Sequence, residues 1–140
     1  MYATLITKLD TLLNGITEVQ EVFNYPKTKI DSYPAVYFQP SNFSNEFETG
    51  QENEKIYRFL VLVLIGTEGS DVATVFGTVL PATVDAIVAE IDGEWDQGTI
   101  DGHRVRAKVD SADQWEVSEE QDGIVCYAPL NVEIKLLSTN

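Results

Sequence analysis

The chain has very few of the side chains that most nucleophilic and metal sites use. Among its 140 residues there is one cysteine, Cys126, and one histidine, His103. A single cysteine excludes an internal disulfide framework and fits a reducing compartment such as the cytoplasm. One cysteine and one histidine are also too few for a structural zinc site. The sequence therefore argues against a disulfide-stapled domain and against a zinc protein.

Positive charge is scarce as well. Nine lysines and arginines stand against 23 acidic side chains, which gives a net charge of −14. A DNA-coating protein normally shows the reverse, because phosphate binding relies on cations. The acids form three clusters: Glu46, Glu48, Glu52 and Glu54; Glu90, Asp92, Glu94 and Asp96; Glu116, Glu119, Glu120 and Asp122. These clusters are either a solubilising surface or one that repels polyanions or meets a basic partner.

Long apolar runs are absent. The run Phe59–Ile65 ends at Gly66, whereas a membrane-spanning helix needs about 18 or more apolar residues. We therefore expect no membrane partner.

The residues offer little catalytic chemistry. A nucleophilic dyad would have to pair Cys126 with His103, but Cys126 falls on the apolar side of a predicted strand, where a small buried hydrophobe is the commoner role. The segment Asp92–Asp96 resembles the start of a calcium loop, yet Gln97 and His103 occupy the places of the required glycine and glutamate. A looser surface cation site and an acid–base pair of surface carboxylates stay open. We expect no enzyme activity, no catalytic residues, no cofactor and no metal.

Hydrophobic periodicity predicts a single α+β domain over residues 1–140. The predicted order is α-β-β-β-α-β-β, with two helices packed on one face of a mainly antiparallel sheet. The predicted helices are 2–14 and Ser70–Asp92, and the predicted strands are 18–25, 35–39, 52–65, 103–109 and 124–137. Pro81 should kink the second helix, or two helices meet near it. The segments Gly93–Gly102 and Ser118–Gly123 are predicted as a loop and an acidic turn.

The strand Glu52–Ile65 is too long and too apolar for a small domain. Its 14 residues would extend about 46 Å, and both of its faces are apolar from Phe59 onward. Part of it should find its cover on another subunit. The preceding segment Ser41–Gln51 is predicted as a long acidic loop, whose Phe43 and Phe47 tuck under it or anchor into a neighbouring subunit.

A basic stripe lies on one predicted strand. Arg104, Arg106 and Lys108 alternate with Val105, Ala107 and Val109, so the three cations share the outward face. The stripe is a small nucleic-acid patch, a solvated face paired with nearby acids, or a contact with the acidic loops of an adjacent copy. The last option suits a head-to-tail interface that closes into a ring.

Several segments together resemble a known family. Tyr33-Pro34-Ala35-Val36, then Pro40-Ser41, and then Asn53-Glu54-Lys55-Ile56-Tyr57-Arg58-Phe59 are similar to the front half of tail terminator (tail completion) proteins of long-tailed bacteriophages. The leading helix, the long second helix, Trp115 and the last strand with Ala128, Leu130 and Val132 match in order. The resemblance covers essentially the whole chain, and Pro81 is a departure from it.

The resemblance implies a structural virion protein rather than an enzyme. Such proteins form a ring, usually hexameric, that caps the tail tube and provides the head-joining surface. The implied partners are the tail tube protein and a head–tail connector (neck) protein, while DNA passes through the bore without specific binding. The implied location is the virion tail, assembled in the host cytoplasm. A related neck or head–tail joining protein and a small acidic protein-binding domain remain as alternatives.

Two sets of site residues follow from the resemblance and the charge pattern. Glu52–Arg58 is expected at the subunit interface and Phe59–Ile65 in the core. The expected interface residues are Phe43, Phe47, Glu52, Glu54, Lys55, Arg58, Arg104, Arg106 and Lys108. The expected bore-lining acids are Glu46, Glu48, Glu119, Glu120 and Asp122, because a negative bore lets DNA slide without sticking.

Overall fold

The computed structural model describes residues 1–26, 30–47, 52–67, 71–93, 96–100, 103–120 and 123–139. Two helical segments, helix α1 (Tyr2–Asn14) and the long helix (Val72–Gly93), accompany seven strands. The strands are β1 (Glu21–Phe23), β2 (Ala35–Phe47), β3 (Glu52–Gly66), β4 (Asp96–Ile100), β5 (His103–Ala112), β6 (Glu116–Glu120) and β7 (Gly123–Thr139). The predicted α+β class is confirmed.

All seven strands belong to one mixed sheet with the order β1-β2-β3-β7-β5-β4, and β6 also pairs with β7. Among the strand pairs of the described residues, only β1–β2 is parallel. Strand β7 organises the sheet, because its first edge pairs with the whole of β3 and its second edge is shared between β6 and β5. The long apolar strand β3 is flanked on both sides by long partners, β2 and β7.

Both helices contribute to one hydrophobic core on one side of the sheet. Helix α1 buries Leu5, Leu9 and Leu13, one turn apart, as its sequence period predicts. From β3, every second residue from Phe59 to Ile65 enters the same core. Burying a large apolar side chain stabilises a fold by about 1.5–3 kcal/mol. This core fixes which side of the sheet is left without a helix.

The long helix contains a π-helical segment, Val75–Val79, directly before Pro81. Val75 and Leu80 are both buried, although five residues of α-helix would place them about 140° apart. The Leu80 N–H donates to the Val75 carbonyl, five residues back, and a π turn takes up the extra residue. Pro81 offers no N–H to Gly77, so the ordinary bond is lost there in any case. The expected disturbance at Pro81 is thus a π segment within one helix, and two separate helices do not form.

Three predicted irregular segments contain strands, and these predictions were wrong. The predicted loop Ser41–Gln51 continues β2 as far as Phe47, after a bulge between Pro40 and Asn42. Residues 48–51 lie outside the described residues. The predicted loop Gly93–Gly102 includes β4, and the predicted turn Ser118–Gly123 begins within β6. In each case a neighbouring strand supplies hydrogen-bond partners to a polar segment, and that pairing overrides local propensity.

The long helix is long and apolar enough, by length and composition, to cross a membrane. The expectation that no segment is long and apolar enough to span a membrane was therefore wrong for this helix. Its apolar residues are spread among alanine, threonine and glycine, so no single run reveals it. Core helices pass the same test, and this helix contributes Leu80, Val84, Ile87 and Ile91 to the core.

Candidate interaction surface

One side of the sheet faces away from both helices, and we call it the open face. Residues directly opposite each other in an antiparallel ladder share a face. Across the centre of the sheet the open face comprises Tyr37 and Gln39 of β2; Glu54, Ile56, Arg58, Leu60, Leu62 and Leu64 of β3; Tyr127, Pro129, Asn131, Glu133, Lys135 and Leu137 of β7; and Arg104, Arg106 and Lys108 of β5. No helix in the described part of the chain covers it.

Cations are concentrated at one end of the open face. Three rows run across β3, β7 and β5: Arg58–Glu133–Lys108, Ile56–Lys135–Arg106 and Glu54–Leu137–Arg104. These rows hold all three arginines of the chain and two of its lysines, five of nine basic residues in all. Only two of the nine positions are acidic. Five cations minus two acids give these nine positions a net charge of +3 in a protein with a net charge of −14, and we call them the cationic rows. At the outer edges of the rows, Glu46 lies opposite Glu54 and Asp96 lies opposite Arg106.

Two nearly buried carboxylates hold the cationic rows together. Glu133, which is 6% exposed, has one oxygen 3.8 Å from Arg58 Nε and the other 3.5 Å from Lys135 Nζ. Glu54, which is 8% exposed, lies 3.4 Å from Lys135 Nζ through Oε1. Glu54 and Glu133 are more buried than their partners Arg58 and Lys135, whose cationic groups lie nearer to solvent. Lys108 instead pairs with the exposed Asp110, with Lys108 Nζ 3.4 Å from Asp110 Oδ1.

The Arg58 guanidinium also binds the neighbouring strand. Its Nη1 donates to Asn42 Oδ1 at 2.8 Å and to Ser44 Oγ at 3.2 Å. Arg58 thus links β2, β3 and β7 through one planar group, a role that suits the fixed donor geometry of arginine.

Lys135 stays protonated within this network. Burial lowers the pKa of its ammonium group, but the adjacent carboxylates of Glu54 and Glu133 outweigh burial and hold the pKa above its ordinary value. Lys135 therefore keeps its charge throughout the neutral pH range.

The other end of the open face is apolar. Leu60, Leu62 and Leu64 of β3 lie beside Tyr37 of β2 and Pro129 of β7. All five are half-buried, although no described helix lies over them. Contiguous apolar surface of this kind usually marks an interaction site. We call these five residues the leucine patch.

The structure divides the predicted interface residues between the two sides of the sheet. Glu54, Arg58, Arg104, Arg106 and Lys108 come together on the open face. Phe43 and Lys55 instead lie on the helix-bearing side. Phe43 is 45% exposed, and its ring centroid is 4.9 Å from that of Tyr57. The side chains of Phe47 and Glu52 lie outside the described part.

The candidate bore-lining acids separate to opposite ends of the sheet. Glu46 lies opposite Glu54, at the end that carries the cationic rows. Glu119 and Glu120 lie on β6 next to the start of β7, beyond the Gly66 end of β3. About 12 residues of strand separate these ends, or roughly 40 Å. Glu48 and Asp122 lie outside the described residues.

Sequence reasoning left Glu133 and Lys135 out of the predicted interface. Their alternation with apolar residues predicted only that this side of β7 is solvated. Nothing else in the sequence indicated that they take part in an interaction surface. Their importance comes from the register, which places Glu133 between Arg58 and Lys108. A pairing register between distant strands cannot be derived from one sequence.

The described residues do not form the rejected catalytic sites. Cys126 is fully buried on β7, and burial raises the pKa of its thiol. Val105, two residues after His103, pairs with Leu136, ten residues along β7 from Cys126. That places Cys126 and His103 about 30 Å apart or more. Asp92 accepts a hydrogen bond from the Val109 N–H at 2.9 Å, and no three described His, Cys, Asp or Glu residues are grouped for a metal ion.

Comparison with known proteins gives a similarity of fold. No protein-family profile and no curated protein sequence matches the chain. A chain in the solved structure "Virion of native gene transfer agent (GTA) particle" superposes with a TM-score of 0.53 at 12% identity, covering 93% of this chain and 84% of that chain. A second solved structure, at 16% identity, reaches a TM-score of only 0.46 over 96% of this chain and 92% of that one, which is too low to carry an argument. The first similarity shows that this chain shares its fold with a chain of a virion particle.

Proposed function

We propose that the chain is a structural, non-enzymatic virion protein. Its copies assemble head to tail into a hexameric ring on the end of a phage-like tail tube. The gathering of five cations on the open face of a strongly acidic chain carries this proposal. The shared fold with a chain of a gene transfer agent virion particle and the resemblance to tail terminator proteins support it.

Charge favours a head-to-tail contact over a two-fold one. A two-fold contact centred on the cationic rows would place them against the cationic rows of the partner. A heterologous contact instead places them against a different and acidic surface of the next copy. Such a contact closes into a ring when its rotation brings the last copy back to the first.

In this ring the end of the sheet with β6 is the better candidate for the bore. Glu116 and Glu119 are exposed there, and by register they lie about 20 Å and about 30 Å of strand from the near edge of the cationic rows. The opposite end combines Glu46 with nearby cations, so its charge is mixed. A negative bore lets DNA pass without binding to it. Rings carrying Glu116→Lys and Glu119→Lys should retain short duplex DNA in a gel-shift assay, whereas wild-type rings should not.

The proposed partners are the tail tube protein on one side of the ring and a head–tail connector (neck) protein on the other. The proposed location is the virion tail, after assembly in the host cytoplasm, with no membrane partner. A neck protein of related fold is the alternative. Capping of purified tail tubes supports the terminator role, and binding only to a head connector supports the neck role.

Native mass spectrometry with negative-stain imaging tests the ring. Alone or mixed with tail tubes, the wild-type protein should give closed rings. The triple variant Arg104→Ala, Arg106→Ala, Lys108→Ala should remain folded by circular dichroism but lose the rings. As a matched pair, Lys108→Ala should weaken assembly and Lys8→Ala, on helix α1, should not. A wild-type protein that stays monomeric and adds nothing to tail tubes would refute the proposal.

A further inference from the structure

The outer side of the long helix is made of small residues and carries its charge at one end. Its exposed positions are Ala73, Thr74, Gly77, Thr78, Ala82, Asp85, Ala89, Asp92 and Gly93. They are small residues apart from the two aspartates. Small side chains let a second backbone approach closely, because the separation of packed elements is set by the residues at the contact.

Charge is distributed unevenly along the long helix. From Val72 to Val84 it carries no charged residue, and from Asp85 onward it carries Asp85, Glu90 and Asp92. The negative end of the helix macrodipole coincides with this acidic half and strengthens it. The long helix therefore has a neutral first half and a negative second half.

The open face has the same two-part division. The leucine patch is neutral, and the cationic rows next to it on the same strands are positive. The acidic half of the helix, from Asp85 to Asp92, is about 11 Å long at 1.5 Å per residue. The cationic rows, from Glu54 to Arg58, are about 13 Å long at 3.3 Å per residue. The two charged segments match in length as well as in sign.

We infer that the long helix of one copy packs on the open face of the next copy. The neutral half of the helix covers the leucine patch, and the acidic half lies over the cationic rows. This contact buries the leucine patch and the small-residue side of the helix, and it is heterologous by construction. The inference rests on the proposed head-to-tail assembly and assigns the two surfaces that form it.

Single-cysteine variants test the contact directly. Leu62→Cys lies in the leucine patch and Ala82→Cys lies on the outer side of the helix, while the native Cys126 is fully buried. Under mild oxidation a mixture of the two variants should give a disulfide-linked dimer, and neither variant alone should. A mixture of Leu62→Cys with Thr7→Cys, exposed on helix α1, should give none.

The outcomes of this test separate the inference from the proposed function. Rings that form without a cross-link in the mixture overturn the helix-to-sheet contact and leave the ring intact. A cross-link in Leu62→Cys alone overturns it in favour of a two-fold contact. Protein that remains monomeric and uncross-linked overturns the inference together with the ring.

Charge reversal gives a second test that does not use cysteine. Asp85→Lys with Glu90→Lys should weaken self-association by tenfold or more, and adding Arg106→Glu with Lys108→Glu to the same chain should restore at least part of it. The control Glu18→Lys with Asp31→Lys changes the net charge equally and should leave association unchanged. Sedimentation velocity measures all four proteins. Wild-type protein that floats with phosphatidylcholine vesicles instead of self-associating would assign the helix to a membrane and overturn the inference.

Discussion

Arg58 and Glu133 lie directly opposite each other on β3 and β7, with Arg58 Nε 3.8 Å from Glu133 Oε2. The pair stands at the boundary between the leucine patch and the cationic rows. Glu133 is nearly buried, and its second oxygen contacts Lys135. A buried carboxylate with two cationic partners is stabilised only while both contacts hold. The stability of the sheet is therefore sensitive to substitutions at this boundary.

Replacing Glu133 by glutamine should therefore destabilise the protein. The amide keeps the shape of the side chain but removes the charge that Arg58 and Lys135 share, for a loss of about 1–2 kcal/mol in the free energy of unfolding. Urea denaturation measures this loss. The exposed Glu18→Gln is the control and should change little. Equal effects of the two substitutions would mean that the network contributes no stability.

Stability should fall as the pH rises above about 10. Burial raises the pKa of Tyr37 and Tyr57 above 10.0, and the pKa of Lys135 lies above 10.5 in the folded state. For each of these groups the folded state holds the proton more tightly than the unfolded state does. The group's contribution to the free energy of unfolding is therefore complete below its ordinary pKa, and it is lost as the pH rises through the raised pKa of the folded state. Urea unfolding between pH 8 and 11 should show that the free energy of unfolding falls with rising pH, and that this fall is shallower in Lys135→Met than in Lys8→Met. An identical decline in both variants would exclude Lys135 as a contributor.

Gly66→Ala should destabilise the end of β3. A Cβ atom at Gly66 would lie 2.8 Å from Cε2 and 2.9 Å from Cδ2 of the Tyr33 ring, so the ring would have to move. Overpacking of this kind costs about 1–3 kcal/mol, measurable by thermal or urea unfolding. In the background Tyr33→Ala the cost of Gly66→Ala should largely disappear, since the two residues are in contact. Gly93→Ala, where nothing lies within 4 Å of the new atom, is the matched control.

Asp92→Ala should loosen the end of the long helix from the sheet. The Asp92 carboxylate accepts from the Val109 N–H at 2.9 Å, next to the bulge between Val109 and Ser111. Loss of this bond should cost about 1 kcal/mol, whereas Asp85→Ala should cost less. Thermal unfolding with and without millimolar calcium serves as a second measurement. A calcium-dependent rise in Tm that Asp92→Ala abolishes would show that Asp92 belongs to a cation site instead.

The parts of the fold that the sequence predicts well are those with a strong hydrophobic period. Helix α1, the long helix and the apolar half of β3 each show one. Residues 41–47 show none, because β2 is polar there and becomes a strand only through pairing with β3. Strand β4 was also missed, although its partner β5 follows it directly in the chain and Ile100 pairs with His103. The Asp101-Gly102 sequence between them is a dipeptide typical of tight hairpins, so this signal was local.

The candidate site shows the same division. Alternation alone correctly places Arg104, Arg106 and Lys108 on one side of β5. That Arg58 joins them depends on β7 lying between β3 and β5, and on a register that aligns Glu133 with both Arg58 and Lys108. These are long-range facts, and no local pattern encodes them. The positions of Phe43 and Lys55 on the other side of the sheet follow from the same register.

The π segment has a consequence for how the length of this chain can vary. Between Val75 and Leu80 the long helix uses one residue more than its buried stripe needs. A shorter chain that lacks one of these residues, with Pro81 also replaced by alanine, can form an uninterrupted α-helix with the same residues facing the core. A deletion after Leu80 would instead rotate the following residues by about 100° and turn Ile87 and Ile91 out of the core. The π segment is thus a position where the loss of one codon, together with replacement of Pro81, leaves the surface that the helix presents unchanged.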